Sequence, residues 1–319
     1  MNDLVMNDPV LNDPALDGTA PDAPAPGVPA PGAPVLEGLV PALPAAFRLD
    51  GARALVTGAS RGIGRACALA LAAAGCDLVL TARTEAALHQ AVKEAEAHGV
   101  RARALAADLA EPGAPTDVVR RAAEVFGGLD VLVHNAGVLP TAEDGTPLLV
   151  PFQLSAQPDW ERVISVNLNV TAELCRAAHP FLAASDRASL ILMSSVAGLV
   201  GTPMMEAYAA SKAAQISLAR SLGVGWAREG IRVNAVSPGW IATDMTGFAV
   251  ETGPVSDWLM SHVPQGRWGT PEDVAGAVLF LASPAAALVT AQTLVLDGGL
   301  SVPDGGLAGI PKPPSPFAA

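Results

Sequence analysis

Tyrosine occurs once in this 319-residue chain, at position 208, and aromatic residues together make up only 4% of it. Half of all residues are nevertheless apolar, enough for a sizeable core built from aliphatic side chains. Cysteine is equally scarce: Cys67, Cys76 and Cys175 show no C-x-x-C spacing and, being three, leave one unpaired in any disulfide scheme. They read as reduced core residues of a cytoplasmic protein, and no metal site is expected from them. Basic residues are missing altogether before Phe47, where six acids stand alone, so about half of the net charge of −12 belongs to that segment. The remainder has 25 acids against 19 bases, an acidic body that repels phosphate backbones and anionic membranes and excludes nucleic acid as an expected partner. A basic stretch leading into an apolar one is also missing at the N-terminus, which excludes a secretory signal there. The longest uncharged run, Val274 to Leu296, is broken by Ser283-Pro284 and interrupted by Thr290, Gln292 and Thr293, so it reads as a buried helix and a buried strand, not a membrane span.

What is present is organised in three parts. Residues 1–45 hold ten of the 28 prolines and a loose recurrence at Asn2-Asp3, Asn7-Asp8 and Asn12-Asp13. Such a segment buries too little side chain to offset its ordering entropy and is expected to be disordered. Residues 302–319 form a second tail rich in proline and glycine. Between them, over 46–301, short apolar runs alternate with helical patterns. Strands are expected at Ala54–Val56, Leu78–Thr81, Ala102–Ala106, Val131–His134, Leu190–Met193, Arg232–Val236 and Thr293–Leu296. Helices are expected near 62–74, 84–98, 116–126, 158–184, 206–229 and 271–282. This alternation specifies parallel strands joined by right-handed crossovers, a doubly wound α/β sheet whose ligand lies beyond the carboxyl ends of the strands.

The first strand runs into Thr57-Gly58-Ala59-Ser60-Arg61-Gly62-Ile63-Gly64 and then a helix. The glycines fall at a turn where a pyrophosphate can meet backbone N–H groups and the positive helix end, an approach that a Cβ would block. About twenty residues on, where an acid would bind a ribose 2′-hydroxyl, the chain has Ala82 followed by Arg83. Losing the acid removes repulsion of a 2′-phosphate, and Arg83 with Arg61 could clamp one, so NADP(H) is expected over NAD(H). Both arginines could equally be ordinary solvated residues.

Lys212 follows Tyr208 by four residues within a helical pattern, placing both on one face. Ketone reduction needs a proton donor at the carbonyl oxygen, and a neighbouring ammonium makes a phenol easier to ionise. Isolated Tyr-x-x-x-Lys pairs more often record a satisfied core tyrosine and a snorkelling lysine. Here the strand Leu190–Met193 ends in Ser194-Ser195, thirteen residues before Tyr208, and Ser195 is placed to hold the substrate oxygen.

From about Phe47 to Ser301 the sequence resembles the single-domain branch of the short-chain dehydrogenases/reductases. The matching signposts are the Thr57–Gly64 turn, Asp108-Leu109, Asn135-Ala136-Gly137, Asn167, Ser195, Tyr208-x-x-x-Lys212, Asn234, Pro238-Gly239, Thr243 and Asp297-Gly298-Gly299. The resemblance implies a Rossmann-type sheet of about seven strands in the order 3-2-1-4-5-6-7 with helices on both faces. It implies Tyr208 as general acid in reduction and base in oxidation, Ser195 as the carbonyl's anchor, and Lys212 gripping the nicotinamide ribose. Asn167 would hold a relay water, although a buried asparagine bridging backbone groups needs no catalytic role. Gly58, Ser60, Arg61, Gly62, Ile63, Gly64 and Arg83 would hold the phosphates, Asp108 and Leu109 would frame the adenine, and Asn135, Ala136 and Gly137 would support the cofactor from the fourth strand. Pro238, Gly239, Ile241 and Thr243 would contact the nicotinamide end. A homotetramer, or a dimer, built on the helices near 158–184 and 206–229 is implied as well. The departures are His134 in place of a usual asparagine, Gly223 and Gly225 interrupting the helix after Lys212, and Ala291 where glycine is common.

The expected activity is hydride transfer between a nicotinamide and a small-molecule ketone or secondary alcohol. The stretch 196–207 carries a single charge and suits an apolar ketone, with 244–268 as a lid and the proline-rich 139–158 as a further wall or a passive loop. This favours a carbonyl reductase similar to 3-oxoacyl reductases and polyketide ketoreductases. Trp258 and Arg267-Trp268-Gly269 resemble gluconate 5-dehydrogenases and keep a sugar-acid dehydrogenase open. A non-catalytic NADP-binding redox sensor is the alternative of another class, weakened by the retention of both Tyr208 and Lys212.

Overall fold

The computed structural model describes residues 43–142 and 146–303, so the expected tails over 1–45 and 302–319 lie almost wholly outside the described residues. Seven parallel strands form one sheet in the order β3-β2-β1-β4-β5-β6-β7. In chain order these are β1 (Arg53–Thr57), β2 (Asp77–Ala82), β3 (Ala102–Ala106), β4 (Val131–His134), β5 (Ser189–Met193), β6 (Arg232–Pro238) and β7 (Thr293–Leu296). The expected strand order is observed. Every residue of β4 and β5 is buried, as expected of central parallel strands covered on both faces.

Alternation along the strands divides the core in two. Ala54, Val56, Val131 and Val133 face one cluster, packed by α1 (Gly62–Ala73) and α9 (Pro271–Ala282). Leu55 and Leu132 face the other, against α3 (Ala114–Phe126) and α5 (Val170–Ala183). The cysteines lie in these clusters, buried and unpaired, and burial pushes the Cys67 and Cys175 thiols up to about 12. Among the described residues no helix is long and apolar enough to cross a membrane. The run from Val274 resolves as expected into α9 and β7, with α9 opened by a Thr270/Asp273 capping box and Pro271 in its first turn.

Two expected helices differ in detail. The pattern over 158–184 is α4 (Gln157–Ile164), a π-helical turn at Ser165–Asn169, and then α5. The pattern over 206–229 is α6 (Glu206–Gly225) followed by a 3₁₀ turn at Ala227–Glu229. Gly223 therefore does not interrupt the helix but serves a close approach. A Cβ there would stand 2.6 Å from the backbone nitrogen of Ala291, which itself adopts a left-handed φ of 59°. Helix propensity alone would make Gly223→Ala stabilising by up to about 1 kcal/mol. Because backbone is the obstacle, the expected result in chemical denaturation is a loss of roughly 1–3 kcal/mol instead.

The sheet reverses its winding direction between β1 and β4, whose ends pair Thr57 with His134. This switch point places the turn after β1 and the segment after β4 beside one another, at the carboxyl edge where ligands of such sheets sit.

Candidate active site

The turn after β1 leads directly into α1. The first-turn N–H groups of Gly62, Ile63 and Gly64 precede the first helical hydrogen bond there, from Arg65 N–H to the Arg61 carbonyl, so they remain available to an anion. Gly58 has φ 65° and is clasped from β4: Asn135 Nδ2 donates to its carbonyl at 3.2 Å. Thr57 Oγ1 accepts the N–H groups of Asn135 and Ala136, both at 3.1 Å, which locks the two strand ends together. Thr243 reaches the same turn from beyond β6, its methyl 3.4 Å from where a Gly62 Cβ would be. Beside it, Arg61 Nη1 binds Asp244 Oδ2 at 2.6 Å with both side chains about two-thirds exposed.

At the adenosine side, Ala82 is half-buried at the end of β2 and Arg83 and Asp108 are exposed, while Leu109 is buried. Asp108 Oδ1 accepts the N–H of Ala110. The structure does not place Arg61 in a standing clamp with Arg83, because Asp244 is its partner. That pair is solvent-exposed and weak, so a phosphate could readily compete for the guanidinium.

The catalytic candidates converge at the end of β5. Ser195 follows β5, its hydroxyl accepting the N–H of Ala197 at 3.2 Å and acting on the half-buried Tyr208 phenol from the facing side. Lys212 is buried on the same helical face, its Nζ 5.5 Å from the Tyr208 ring centroid. Nζ donates to the Met193 carbonyl at 2.7 Å and to Gln215 Oε1 at 3.0 Å. Burial raises the phenol above its usual range, and the Ser195 hydroxyl pulls it back. Burial also brings Lys212 down to about 7, so the expected acidification of Tyr208 by the lysine depends on the groups that hold Nζ charged.

Asn167 lies in the π-helical turn and is saturated by protein. Its side chain accepts the Val138 N–H and donates to the Val138 carbonyl and Ser211 Oγ. Its own carbonyl accepts Gln215 Nε2 and the Thr171 hydroxyl. Through these bonds Asn167 holds Val138 and α6 in place. Gly137 packs beside it: a Cβ there would meet Asn167 Oδ1 at 3.2 Å and Lys212 Nζ at 3.4 Å, so glycine keeps the lysine accessible. The sequence reading missed Gln215, Thr171 and Ser211; a buried polar residue one helical turn from Lys212 was the available signal.

Arg267 and Trp268 have structural partners. Arg267 pairs with Asp273 at 2.7 Å, and Trp268 Nε1 donates to Ser256 in α8 (Gly253–Met260). The 139–158 stretch folds back on itself through a bridge between Thr141 and Pro147, and Phe152 packs edge-on to Trp160 at 6.0 Å. Phe152 and Trp160, with Pro140, Met204, Met205 and Glu206, line a cavity of about 150 Å³, open to solvent, at the start of α6.

An α/β nucleotide fold carrying this serine, tyrosine and lysine at its switch-point edge defines a nicotinamide-dependent oxidoreductase, and comparison with known proteins gives the family. A family model described as enoyl-(acyl carrier protein) reductase matches residues 58–301. Gluconate 5-dehydrogenase of Gluconobacter oxydans is 35% identical over 81% of this chain and 98% of its own. A 3-oxoacyl-[acyl-carrier-protein] reductase of Synechocystis is 39% identical over 77% of this chain and 96% of its own. The crystal structure of a gluconate 5-dehydrogenase from Burkholderia cenocepacia in complex with NADP and tartrate superposes with a TM-score of 0.74 at 34% identity, covering 81% of this chain and 98% of that one. The chain belongs to the short-chain dehydrogenase/reductase family and is an oxidoreductase of alcohol and carbonyl groups.

Proposed function

We propose that this protein reduces a largely apolar ketone with NADPH, Tyr208 donating the proton to the carbonyl oxygen and Ser195 holding that oxygen. The observation that carries this reading is the convergence of Ser195, at the end of β5, with Tyr208 and the buried Lys212 on one face of α6, Nζ 5.5 Å from the phenol ring centroid. NADP(H), when bound, supplies or receives the hydride. Gly58, Ser60, Gly62, Ile63 and Gly64 would bind its pyrophosphate, Arg61 and Arg83 its 2′-phosphate, and Asp108 and Leu109 its adenine end. Asn135, Ala136 and Gly137 would line the cofactor from β4, with Pro238, Gly239, Ile241 and Thr243 at the nicotinamide. Lys212 would orient the ribose. Asn167 would keep Lys212 and α6 in register with the segment after β4. Burial holds the phenol protonated, the form that reduction consumes.

The cavity at Phe152, Trp160, Met204 and Met205 supports an apolar substrate, and the charged groups that line it among the described residues, Asp159 and Glu206, disfavour a carboxylate. Arg267, the base within the gluconate-dehydrogenase-like motif, is already paired with Asp273. The sugar-acid reading keeps the support of its relatives' names, so a carbonyl panel with NADPH decides between them: apolar ketones should exceed keto-sugar acids at least about tenfold in kcat/KM, and the reverse order would reject the apolar assignment. In fluorescence titration NADPH should bind at least about tenfold tighter than NADH, and equal affinities would reject the role given to Arg61 and Arg83. A cytoplasmic homotetramer or dimer is part of the same proposal. Exposed Val224 at the end of α6, Val295 on the edge strand β7 and fully exposed Leu288 are the apolar surface it would cover. Light scattering at the monomer mass would reject it.

A further inference from the structure

The hydrogen bonds around Lys212 extend into the protein and admit one consistent placement of protons. Gln215, one turn along α6, is fully buried. Its Oε1 accepts from Lys212 Nζ at 3.0 Å, while Nε2 donates to the Asn167 carbonyl at 2.8 Å and to Thr171 Oγ1 at 2.9 Å. Thr171 has one hydroxyl proton, given to the Asn167 carbonyl at 2.6 Å, so toward His134 Nε2, 2.9 Å away, it can only accept. His134 therefore carries its proton on Nε2, and its Nδ1 accepts the Thr57 hydroxyl proton at 2.9 Å. Thr57 is the residue that clasps Asn135 and Ala136 at the phosphate turn. A continuous network thus joins the ammonium to the end of β1, with each proton assigned to one side.

We propose that Gln215 is a positioning residue for Lys212: its amide bridges the ammonium to the π-helical turn at Asn167 and, through Thr171 and His134, ties it to Thr57 in the nucleotide turn. The proposal rests on the role given to Lys212 above. An amide suits the bridge because it presents an acceptor at one end and donors at the other. Methionine, of similar length, has neither, and glutamate keeps only the acceptor end, with added charge. The titratable groups facing Lys212 are the Tyr208 phenol on its own helix and His134 from β4; Met193 on β5 and Asn167 offer neutral dipoles. His134 stays neutral, held down to about 3 by burial and then by the lysine's charge. With Lys212 near 7, the acceptor at Gln215 bears directly on its charge at neutral pH.

The chain has three lysines, Lys93, Lys212 and Lys312, so ¹³Cε-lysine NMR of the full-length protein can follow Lys212 individually, with Lys212→Arg for assignment. Removing the acceptor disfavours the charged form, so Gln215→Met should lower the Lys212 midpoint by about one pH unit, and the alkaline limb of the kcat profile should move down with it. Gln215→Glu should move both upward. A midpoint unchanged in both variants, or displaced in the same direction by both, overturns the proposal. If Gln215→Met fails to fold, Gln215→Glu decides alone, a raised midpoint supporting the bridge and an unchanged one rejecting it. Because the titration needs no turnover, a wild-type enzyme inactive on every ketone would sink the functional reading while leaving this test intact.

Discussion

Replacing Tyr208 with phenylalanine should lower ketone turnover with NADPH by about two to four orders of magnitude while leaving the cofactor's dissociation constant within about twofold. The substitution removes one oxygen and keeps the ring that packs beside Lys212. Tyr208 is the one tyrosine of the chain, so no second phenol can take over the proton transfer. Ser195→Ala should fall between wild type and Tyr208→Phe, because the proton donor remains and only its orientation and the carbonyl's anchor are lost. Stopped-flow single turnover separates these effects from binding. A Tyr208→Phe enzyme within about tenfold of the wild-type rate would remove the phenol from the chemistry and, with it, the reading of Ser195 as its partner.

The parts of this site that could be read from the sequence are those set by local backbone. The runs Val131–His134, Thr293–Leu296 and 271–282 coincide with β4, β7 and α9, because apolar blocks bounded by turn or cap residues state their own limits. The Thr57–Gly64 turn and the Tyr208/Lys212 face follow from glycine geometry and helical period. Contacts between residues far apart in sequence were not legible. Arg61 meets Asp244 across 183 positions, and Gln215 meets Asn167 across 48. The π turn at Ser165–Asn169 left the helical pattern intact in the sequence, yet it puts the Asn167 carbonyl where Gln215 and Thr171 reach it. His134, a departure from the family pattern in the sequence, is a buried core group satisfied by Thr57 and Thr171. The relative ionisation of Tyr208 and Lys212 was not legible either, since spacing supplies the neighbours of a group but not its burial.

Gly64→Ala should be the most damaging single-methyl change in the molecule. A Cβ at Gly64 would land on the Gly58 carbonyl oxygen and 2.5 Å from Asn135 Nδ2. Neither can yield cheaply: the first is backbone in the turn proposed to meet the pyrophosphate, and the second is bonded to that same carbonyl. The turn must open, displacing the first N–H groups of α1 from the anion and loosening Asn135 from β1. The expected outcome is a stability loss of roughly 1–3 kcal/mol together with about hundredfold or greater loss in kcat/KM, since a shift of about 1 Å at a positioning element costs that much. Gly276 supplies the contrast. It is an exposed position inside α9 where an added Cβ meets nothing within 4 Å, so Gly276→Ala should stabilise by up to about 1 kcal/mol and leave kinetics unchanged. Parallel denaturation and initial-rate measurements on the two variants should therefore move in opposite directions. If Gly64→Ala retained wild-type NADPH affinity, the turn after β1 would not be the phosphate site, and the cofactor would have to be held elsewhere on the sheet edge.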